Sequence, residues 1–507
     1  MASFLRILNS DTELLGEVPA EVRKRILSGL RWTLWISTLA APFSYGTSIL
    51  LARTSPEVIG TYGLLQIYLS LVTSFLYLGG DAVVIKFLPE LPINKRFPFL
   101  LSYYVVNCVW LSSWLVAATL WPGMLGYVFG NVGRTITFQA LGAILSPVYL
   151  LFLLLVGALK GMLAFRHAQM LLRLLTISQF VAFATLFFGF PSFLATYYNV
   201  LIWCTYLFQT VLAIAIGLRY MLRLLGSPRN QFEVRFLLPP GFWSYTLSTQ
   251  QVSMLGFLLL NLNDVLILNF AGLATLGKYV AIFTISIIIK MVNNFFLDVL
   301  LPSLTNLLAL KEFAAASQVF SMYWRILLII NIVACSGIMI LARPLSALLG
   351  PEYVDLRFVL ILLVLLMGLS NPGRVGGVIL SSIGKQQQSV WVALGQLALF
   401  TVLFFGLWPQ WHLLGAVLAD GISLLASSVV LLIVAKHSGP IEVSVARDYI
   451  KFGIVMILAS AVAVAELPLS LASALAVWLG AIALFLALAR YGVVECIGLI
   501  RPLISNR

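Results

Sequence analysis

Charged residues are scarce in this chain. Of its 507 residues, 10% are Asp, Glu, Lys or Arg and 61% are hydrophobic. Soluble domains carry about 25% charged residues, so the shortage excludes an ordinary soluble enzyme or binding domain. Alternating segments of about ten residues, typical of a membrane barrel, are also missing. Instead, apolar runs of about 20 residues recur, and each is long enough to cross a bilayer as a helix.

Cysteine and histidine are few as well. The four cysteines and three histidines are far apart in sequence, which fits neither a disulfide framework nor a metal site. We therefore expect buried free thiols at Cys108, Cys204, Cys335 and Cys496. Paired carboxylates, His-x-x-x-His and the Gly-x-x-x-x-Gly-Lys phosphate loop are missing too. A secondary carrier, a scrambling protein or a channel is favoured over a pump or a membrane transferase.

The apolar runs predict an all-α polytopic membrane protein with about fourteen transmembrane helices. They lie at 29–52, 58–80, 98–121, 136–159, 168–190, 194–218, 243–270, 276–300, 323–342, 355–383, 387–408, 412–435, 450–466 and 469–490. Residues 1–27 are amphipathic and lack a cleavage site, so we expect them to lie on the inner membrane surface.

Two segments occur twice at nearly the same offset. The sequence around Gly60 recurs around Gly277, and the sequence around Pro89 recurs around Pro302. Membrane carriers are often built from such repeats, so we predict two parallel six-helix lobes. The expected order is a cytoplasmic segment, a first lobe, a cytoplasmic linker, a second lobe, and a final helix pair with a cytoplasmic tail: 1–27, 28–224, 225–241, 242–436 and 437–507.

Several ionisable residues fall inside predicted spans, where each costs at least about 2.5–3.5 kcal/mol. Lys290, Asn294 and Asp298 are spaced four apart and share one helical face. That face predicts either a substrate cavity or an inter-helix clamp. Asp264 has either a functional role or a simpler one, in which it pairs with a neighbour such as Lys278 near the outer surface. The substrate-cavity candidates are Lys290, Asn294, Asp298, Arg374, Asp81 and Asp420, and no catalytic residue or metal ligand is predicted.

Arg374 lies in a stretch that is rich in helix-breaking residues. One proline and three glycines occur between Ser370 and Gly377, which predicts a broken or kinked helix. Broken helices in carriers often face the substrate. We expect other spans to be interrupted at Pro42, Pro147 and Pro302.

Three stretches resemble the polysaccharide flippases of the MOP superfamily, the Wzx-type exporters of O-antigen and exopolysaccharide units. They are ARTSPEVIGTYGLL from Ala52 with LGGDAVVIKFLPEL from Leu78, NDVLILNFAGLATLGKYVAIF from Asn263, and LLGPEYVDLRFVLILL from Leu348 with LGAVLADGISLL from Leu414. The resemblance covers residues 28–440. Its motif positions, for which we expect structural roles, are Arg53, Gly60, Asp264, Gly277 and Tyr279.

The resemblance implies a MATE/MOP-like fold that flips an undecaprenyl-diphosphate-linked oligosaccharide across the bacterial cytoplasmic membrane by alternating access. The implied partners are this lipid, membrane lipids, a polysaccharide polymerase and glycosyltransferases, with no nucleic acid. No cofactor or metal is expected, and the sequence leaves open whether a proton or sodium ion is coupled. The alternatives are a peptidoglycan-precursor flippase, a MATE-like multidrug or metabolite antiporter, and a non-transporting scaffold of a polysaccharide assembly complex.

Positive charge predicts the orientation. With the N-terminus inside, the inner segments hold about 24 of the 31 Lys and Arg residues, so the positive-inside rule places both termini in the cytoplasm. A reporter that fluoresces only in the cytoplasm should therefore be active when it is fused after Arg507. Activity of an outward-only reporter at the same position would contradict this orientation.

Overall fold

The computed structural model describes residue 36 and residues 39–121, 123–162, 164–225, 236–309, 313–438, 446–465 and 471–489. The predicted amphipathic segment 1–27, the core of the linker and the tail beyond residue 489, with Cys496, lie outside the described residues. The side chains of Asn294 and Asp298 lie outside them as well.

Regular structure in these ranges is helical, as the apolar runs predict. The α-helices, in chain order, are α1 (39–54), α2 (Pro56–Leu71), α3 (Gly80–Glu90), α4 (Ile93–Leu120), α5 (Gly123–Gly133), α6 (Ile136–Gly161), α7 (Phe165–Gly189), α8 (Pro191–Leu225), α9 (Phe242–Ala309), α10 (Phe313–Ile340), α11 (Ala342–Leu349), α12 (Arg357–Ser370), α13 (Val375–Ser382), α14 (Gln386–Ser438), α15 (Ala446–Val464) and α16 (Leu471–Ala489). A π-helical turn covers Val72–Leu76, and 3₁₀ turns cover Pro351–Leu356 and Asn371–Arg374.

Within the described ranges, nine helices are long and apolar enough to cross a membrane. Two of these stretches, Phe242–Ile287 and Gln386–Ser438, have 46 and 53 residues, whereas one crossing needs about 20. The first has non-helical backbone at Gly272, and the second has it at His412. The chain is therefore a multi-pass membrane protein, and the count of fourteen spans stays a prediction.

Helix breaks occur at glycine-rich stretches. The span around Arg374 is broken as predicted, because a 3₁₀ turn separates α12 from α13. A second break was not predicted: after the π-helical turn, Gly79 and Gly80 adopt φ angles of 69° and 64°, and α3 begins at Gly80. The expected interruptions at Pro42, Pro147 and Pro302 are wrong, because the backbone stays helical at all three positions. Neighbouring helices and side chains can satisfy the backbone groups that a proline frees in a membrane helix.

The chain divides into two compact units, and the boundary falls between Val280 and Ala281, inside α9. In the first unit, α9 is joined to α2 by a hydrogen bond from Asn261 Nδ2 to Ser70 Oγ (2.9 Å). Phe257 of α9 also packs edge-on against Phe75, with 5.3 Å between the ring centroids. The lobe bounds 28–224 and 242–436 stay a prediction.

In the second unit, the broken span packs closely against α14. A Cβ atom on Gly376 would lie 2.6 Å from the carbonyl carbon of Leu431, so the two backbones are in direct contact. The last two helices pack on this unit too. Trp478 of α16 donates to the Val333 carbonyl (2.9 Å), and the Tyr449 hydroxyl of α15 donates to the Leu369 carbonyl.

The thiols correct one expectation. Cys108, Cys204 and Cys335 are free, as the spacing predicts. However, only Cys335 among these three is buried, while Cys108 is half-buried and Cys204 is exposed. The prediction of buried thiols is therefore wrong for Cys204. A helix surface that faces lipid requires apolar character and not burial, and a thiol satisfies that requirement.

Two asparagines form a reciprocal pair between α9 and α10. Asn293 Nδ2 donates to Asn331 Oδ1 (3.0 Å), and Asn331 Nδ2 donates to Asn293 Oδ1 (2.7 Å). Both side chains are 1% exposed. Asn293 lies beside the predicted polar stripe and clamps α9 to α10, while the role of the stripe itself stays a prediction.

Replacing Asn331 with Leu should lower the stability of the purified protein by about 1–2 kcal/mol, because the Asn293 amide loses its partner. The double change to Leu should recover part of the loss, since no unmatched amide then remains. The measurement is thermal unfolding in detergent. Ser336→Ala is the control, since within the described residues the Ser336 hydroxyl donates to the Ile332 carbonyl of its own helix. Equal losses from Asn331→Leu and the control would contradict the clamp.

Candidate functional site

The break between α2 and α3 leaves backbone groups without helical partners, and α4 satisfies several of them. The Leu78 amide donates to Asn107 Oδ1 (2.8 Å). The Tyr103 hydroxyl donates to the carbonyls of Leu78 and Gly80, the latter at 2.9 Å. Both α4 side chains are buried. In hydrocarbon each unsatisfied backbone group costs several kcal/mol, so these contacts are a condition for the break.

One side chain of α9, Gln250, satisfies three further backbone groups. Its Oε1 accepts from the Gly79 amide (2.9 Å), and its Nε2 donates to the carbonyls of Ser74 (2.8 Å) and Phe75 (3.2 Å). Glycine is required at position 79 because φ is positive and because a Cβ would lie 3.2 Å from Thr246 Cα. Gln250 therefore holds both sides of the break against α9.

Asp81, a predicted cavity residue, forms an ion pair immediately after this break. Lys160 Nζ lies 2.5 Å from Asp81 Oδ2, and the two side chains are 26% and 42% exposed. Asp81 is in the first turn of α3 and Lys160 is in the last turn of α6, where the helix dipoles favour these charges. Gly157 and Gly161 allow the close approach of α6 to α3. The pair is only partly enclosed, so a charged ligand can reach it.

Two predicted cavity residues of the second unit interact with each other. Lys290 on α9 lies close enough to Asp420 on α14 for the two charges to interact electrostatically. Both side chains are half-buried. The positions of Asn294 and Asp298 relative to Lys290 remain a prediction, because their side chains lie outside the described residues.

Arg374 is half-buried at the end of the 3₁₀ turn that breaks the tenth predicted span. Beside it, Asn371 Nδ2 and Ser428 Oγ have no hydrogen-bond partner within the described parts of the chain. Both residues are 1% exposed. Buried polar groups normally have a partner, so this break offers unused donors to a water molecule or a ligand hydroxyl.

The motif positions differ in burial, and their structural roles stay a prediction. Gly60, Gly277 and Tyr279 are buried, Asp264 is half-buried and Arg53 is exposed. The Tyr279 hydroxyl accepts a hydrogen bond from Asn263 Nδ2 (3.0 Å). The pairing of Asp264 with Lys278 stays a prediction.

Sequence reasoning missed several residues of this site. Lys160 looked like an ordinary inner-loop cation, and Gln250 looked like an ordinary polar residue near a helix end. One available signal was the repeat itself. Gly277 follows Gly60 by 217 positions, and Asp298 follows Asp81 by the same 217 positions. This spacing fits the predicted repeat and points to Asp81, whereas nothing local in the sequence singles out Lys160 or Gln250.

The described residues contain no group of three or more His, Cys, Asp or Glu side chains that could hold a metal ion. The site consists of paired charges, amide side chains and opened backbone. Such groups can bind charged and hydroxyl-bearing molecules by hydrogen bonds and charge pairing.

Gln250→Leu should speed hydrogen–deuterium exchange in a peptide covering residues 74–82, because the Gly79 amide loses its acceptor. Mass spectrometry of the purified protein measures the exchange. Gln179→Leu is the matched control, since Gln179 accepts from the Tyr62 hydroxyl and does not touch the break. Unchanged exchange in Gln250→Leu would show that other contacts hold the break.

Comparisons with known proteins agree on the fold. Neither a family model nor a curated protein sequence matches the chain. The lipid II flippase MurJ in an inward closed conformation aligns with a TM-score of 0.67 at 13% identity, over 93% of this chain and 99% of that one. An inward-facing multidrug resistance MATE transporter of the MOP superfamily aligns with a TM-score of 0.63 at 11% identity, over 80% and 97%.

A MOP superfamily transporter from Pyrococcus furiosus, described as having a binding pocket of reverse polarity, aligns with a TM-score of 0.54 at 13% identity, over 82% of this chain and 94% of that one. Likeness at such low identity establishes the fold alone. The chain therefore has the all-helical fold that MATE transporters and the MurJ flippase share.

Proposed function

We propose that this protein flips an undecaprenyl-diphosphate-linked oligosaccharide across the bacterial cytoplasmic membrane, for export of O-antigen or exopolysaccharide. The observation that carries the proposal is the partly exposed Asp81–Lys160 ion pair beside a helix break in an otherwise apolar chain. Ionisable residues in membrane segments are costly and are usually functional. The transporter fold supports a role in moving a substrate and not in chemistry upon it.

The charge arrangement suits a diphosphate headgroup. Lys160 and Lys290 each have a nearby carboxylate, Asp81 and Asp420 respectively. A paired lysine costs less to hold in the membrane than an unpaired one. A diphosphate carries more negative charge than one carboxylate and offers more acceptor oxygens, so it can displace the carboxylate from the ammonium group. On its release the carboxylate pairs with the lysine again.

The sugar part requires groups that exchange hydrogen bonds with hydroxyls. Asn371 and Ser428 provide such groups, because their buried polar atoms lack partners within the described residues. Together with Arg374 they lie at the second helix break. The lipid tail stays in the bilayer, and the two six-helix repeats alternate between inward and outward access.

Further parts of this proposal follow from the same reasoning. Both termini lie in the cytoplasm, and the coupling ion, where one is used, is a proton or a sodium ion. The polysaccharide polymerase and the glycosyltransferases are the expected partners, and membrane lipids surround the helices. The candidate cavity residues remain Lys290, Asn294, Asp298, Arg374, Asp81 and Asp420.

The second candidate is a peptidoglycan-precursor flippase. The lipid II flippase aligns over 93% of this chain, whereas the inward-facing MATE transporter aligns over 80%. A multidrug antiporter for cations would favour an acidic cavity, but the candidate residues here include both signs. Proteoliposomes loaded separately with a lipid-linked oligosaccharide, with lipid II and with a cationic drug distinguish these three activities. A scaffold would move none of them.

Lys290→Ala should impair flipping more than folding. Loss of a charge-assisted hydrogen bond costs about 1.5–3 kcal/mol, or roughly ten- to hundredfold in binding. Lys290→Arg should keep part of the activity, because the charge remains while the geometry changes. The measurements are expression, thermal stability and flipping rate in proteoliposomes. Lys385→Ala is the control, since Lys385 is exposed and bonds to the Ser438 carbonyl.

Normal flipping by Lys290→Ala would show that this lysine does not bind the substrate. The clamp alternative gives a different pattern. If Lys290 and Asp420 only join α9 to α14, each single change to Ala should destabilise the protein and the double change should restore part of the stability. Asp298→Ala in the same series tests the remaining member of the predicted stripe.

A further inference from the structure

Gly60 and Gly277 occupy equivalent positions in the predicted repeat, and each lies directly against the helix that carries the other. A Cβ on Gly277 would lie 1.8 Å from the carbonyl oxygen of Pro56 and 2.8 Å from the amide nitrogen of Gly60. A Cβ on Gly60 would lie 2.3 Å from the carbonyl oxygen of Leu273. Real Cβ atoms essentially never approach other atoms to under 3.0 Å. Only glycine at both positions permits this crossing, which we call the glycine crossing.

Local sequence features set the direction in which each helix approaches the glycine crossing. The Ser55 hydroxyl accepts a hydrogen bond from the Val58 amide (3.3 Å) and fixes the start of α2 at Pro56. In the other helix of the crossing, Gly272 has a φ angle of 79° and bends α9. Without that bend, α9 would continue in a straight line and Gly277 could not approach α2. Small residues allow such close approach of membrane helices.

In the predicted orientation, the glycine crossing lies at the outer face. Residues 53–57 and 271–275 are short outer connections, so Gly60 and Gly277 lie near the outer ends of the second and eighth predicted spans. One glycine comes from each six-helix repeat. Direct backbone contact leaves no space for a lipid headgroup to pass between these two helices.

We propose that the glycine crossing is the outer gate of the transport path, closed in this structure and opened when the substrate is released. The inference rests on the proposed flipping function, which requires the outer ends of the repeats to separate. Glycines suit a reversible contact, because the backbones meet without interlocking side chains and part without rotamer changes. Below the crossing, Gly63 faces Val280, and this pair continues the seal.

A disulfide can lock the gate. A Cβ on Gly63 would lie 3.5 Å from Val280 Cβ, and disulfides have Cβ separations of about 3.5–4.5 Å. The double variant Gly63→Cys with Val280→Cys is made after the native cysteines are replaced by Ser. In proteoliposomes, oxidation should lower flipping by about tenfold or more, and a reductant should restore it.

The matched control is Leu155→Cys with Gly217→Cys. A Cβ on Gly217 would lie 3.8 Å from Leu155 Cβ, so this pair joins α6 to α8 within the first six spans. It should form a disulfide and keep flipping. Equal flipping by the oxidised and reduced forms of the Gly63 and Val280 pair would overturn the gate.

A second measurement needs no substrate and so separates the gate from the proposed function. Val280→Cys alone is labelled from outside with a membrane-impermeant maleimide. Gly277→Ala should speed the labelling by about threefold or more, because its methyl group forces the crossing apart. Gly256→Ala is the control, since no atom lies within 4 Å of a Cβ there.

The two measurements fail in different ways. An unchanged labelling rate in Gly277→Ala overturns the gate even if the lipid-linked oligosaccharide is flipped. Faster labelling in Gly277→Ala supports the gate even if that lipid is not flipped, and in that case the proposed substrate is the part that fails.

Discussion

A membrane supplies no water for backbone groups, and the described architecture depends on that constraint. A continuous helix satisfies its own amides and carbonyls, so most of the chain is helical. Wherever a helix breaks, another element must take over. At the first break Asn107 and Gln250 do so, with distances of 2.8–3.2 Å to the opened backbone. This break is therefore held by amide side chains that reach it from two neighbouring helices.

The same reasoning extends to charge. Asp81 and Lys160 form an ion pair in the first unit, and Lys290 lies within electrostatic range of Asp420 in the second. Each pair offsets part of the cost of a charge in hydrocarbon. A pair that is partly exposed, like that of Asp81 and Lys160, also stays open to exchange with an ionic ligand. Paired charges thus make ionisable side chains tolerable in an otherwise apolar chain.

The sequence predicts the helical class, the repeat around Gly60 and Gly277, and the break at Arg374, because each leaves a local pattern of apolar runs or glycines. The residues that satisfy the backbone at the first break, and those that pair across helices, leave no such local pattern. Gln250 is 171 residues from Gly79, and Asn331 is 38 residues from Asn293. Pro147 misled the prediction, since a missing amide hydrogen alone does not break a well-packed membrane helix. The sequence shows where a helix can break, and contacts with distant residues decide which of these positions does break.

The bond between Gln250 and the first break has a consequence for biosynthesis. The ribosome completes α2 and α3 long before it reaches α9, and chains fold from the N-terminus as they emerge. Until residue 250 is inserted, the Gly79 amide and the Ser74 carbonyl lack the side chain that satisfies them, whereas the Phe75 carbonyl already has Trp110 of α4. The helices before α9 therefore enter the bilayer before the break between α2 and α3 can take its final shape. A chain that stopped at residue 241 would retain an unfinished membrane domain, and quality-control proteases that sense exposed polar backbone in lipid would have a target for it.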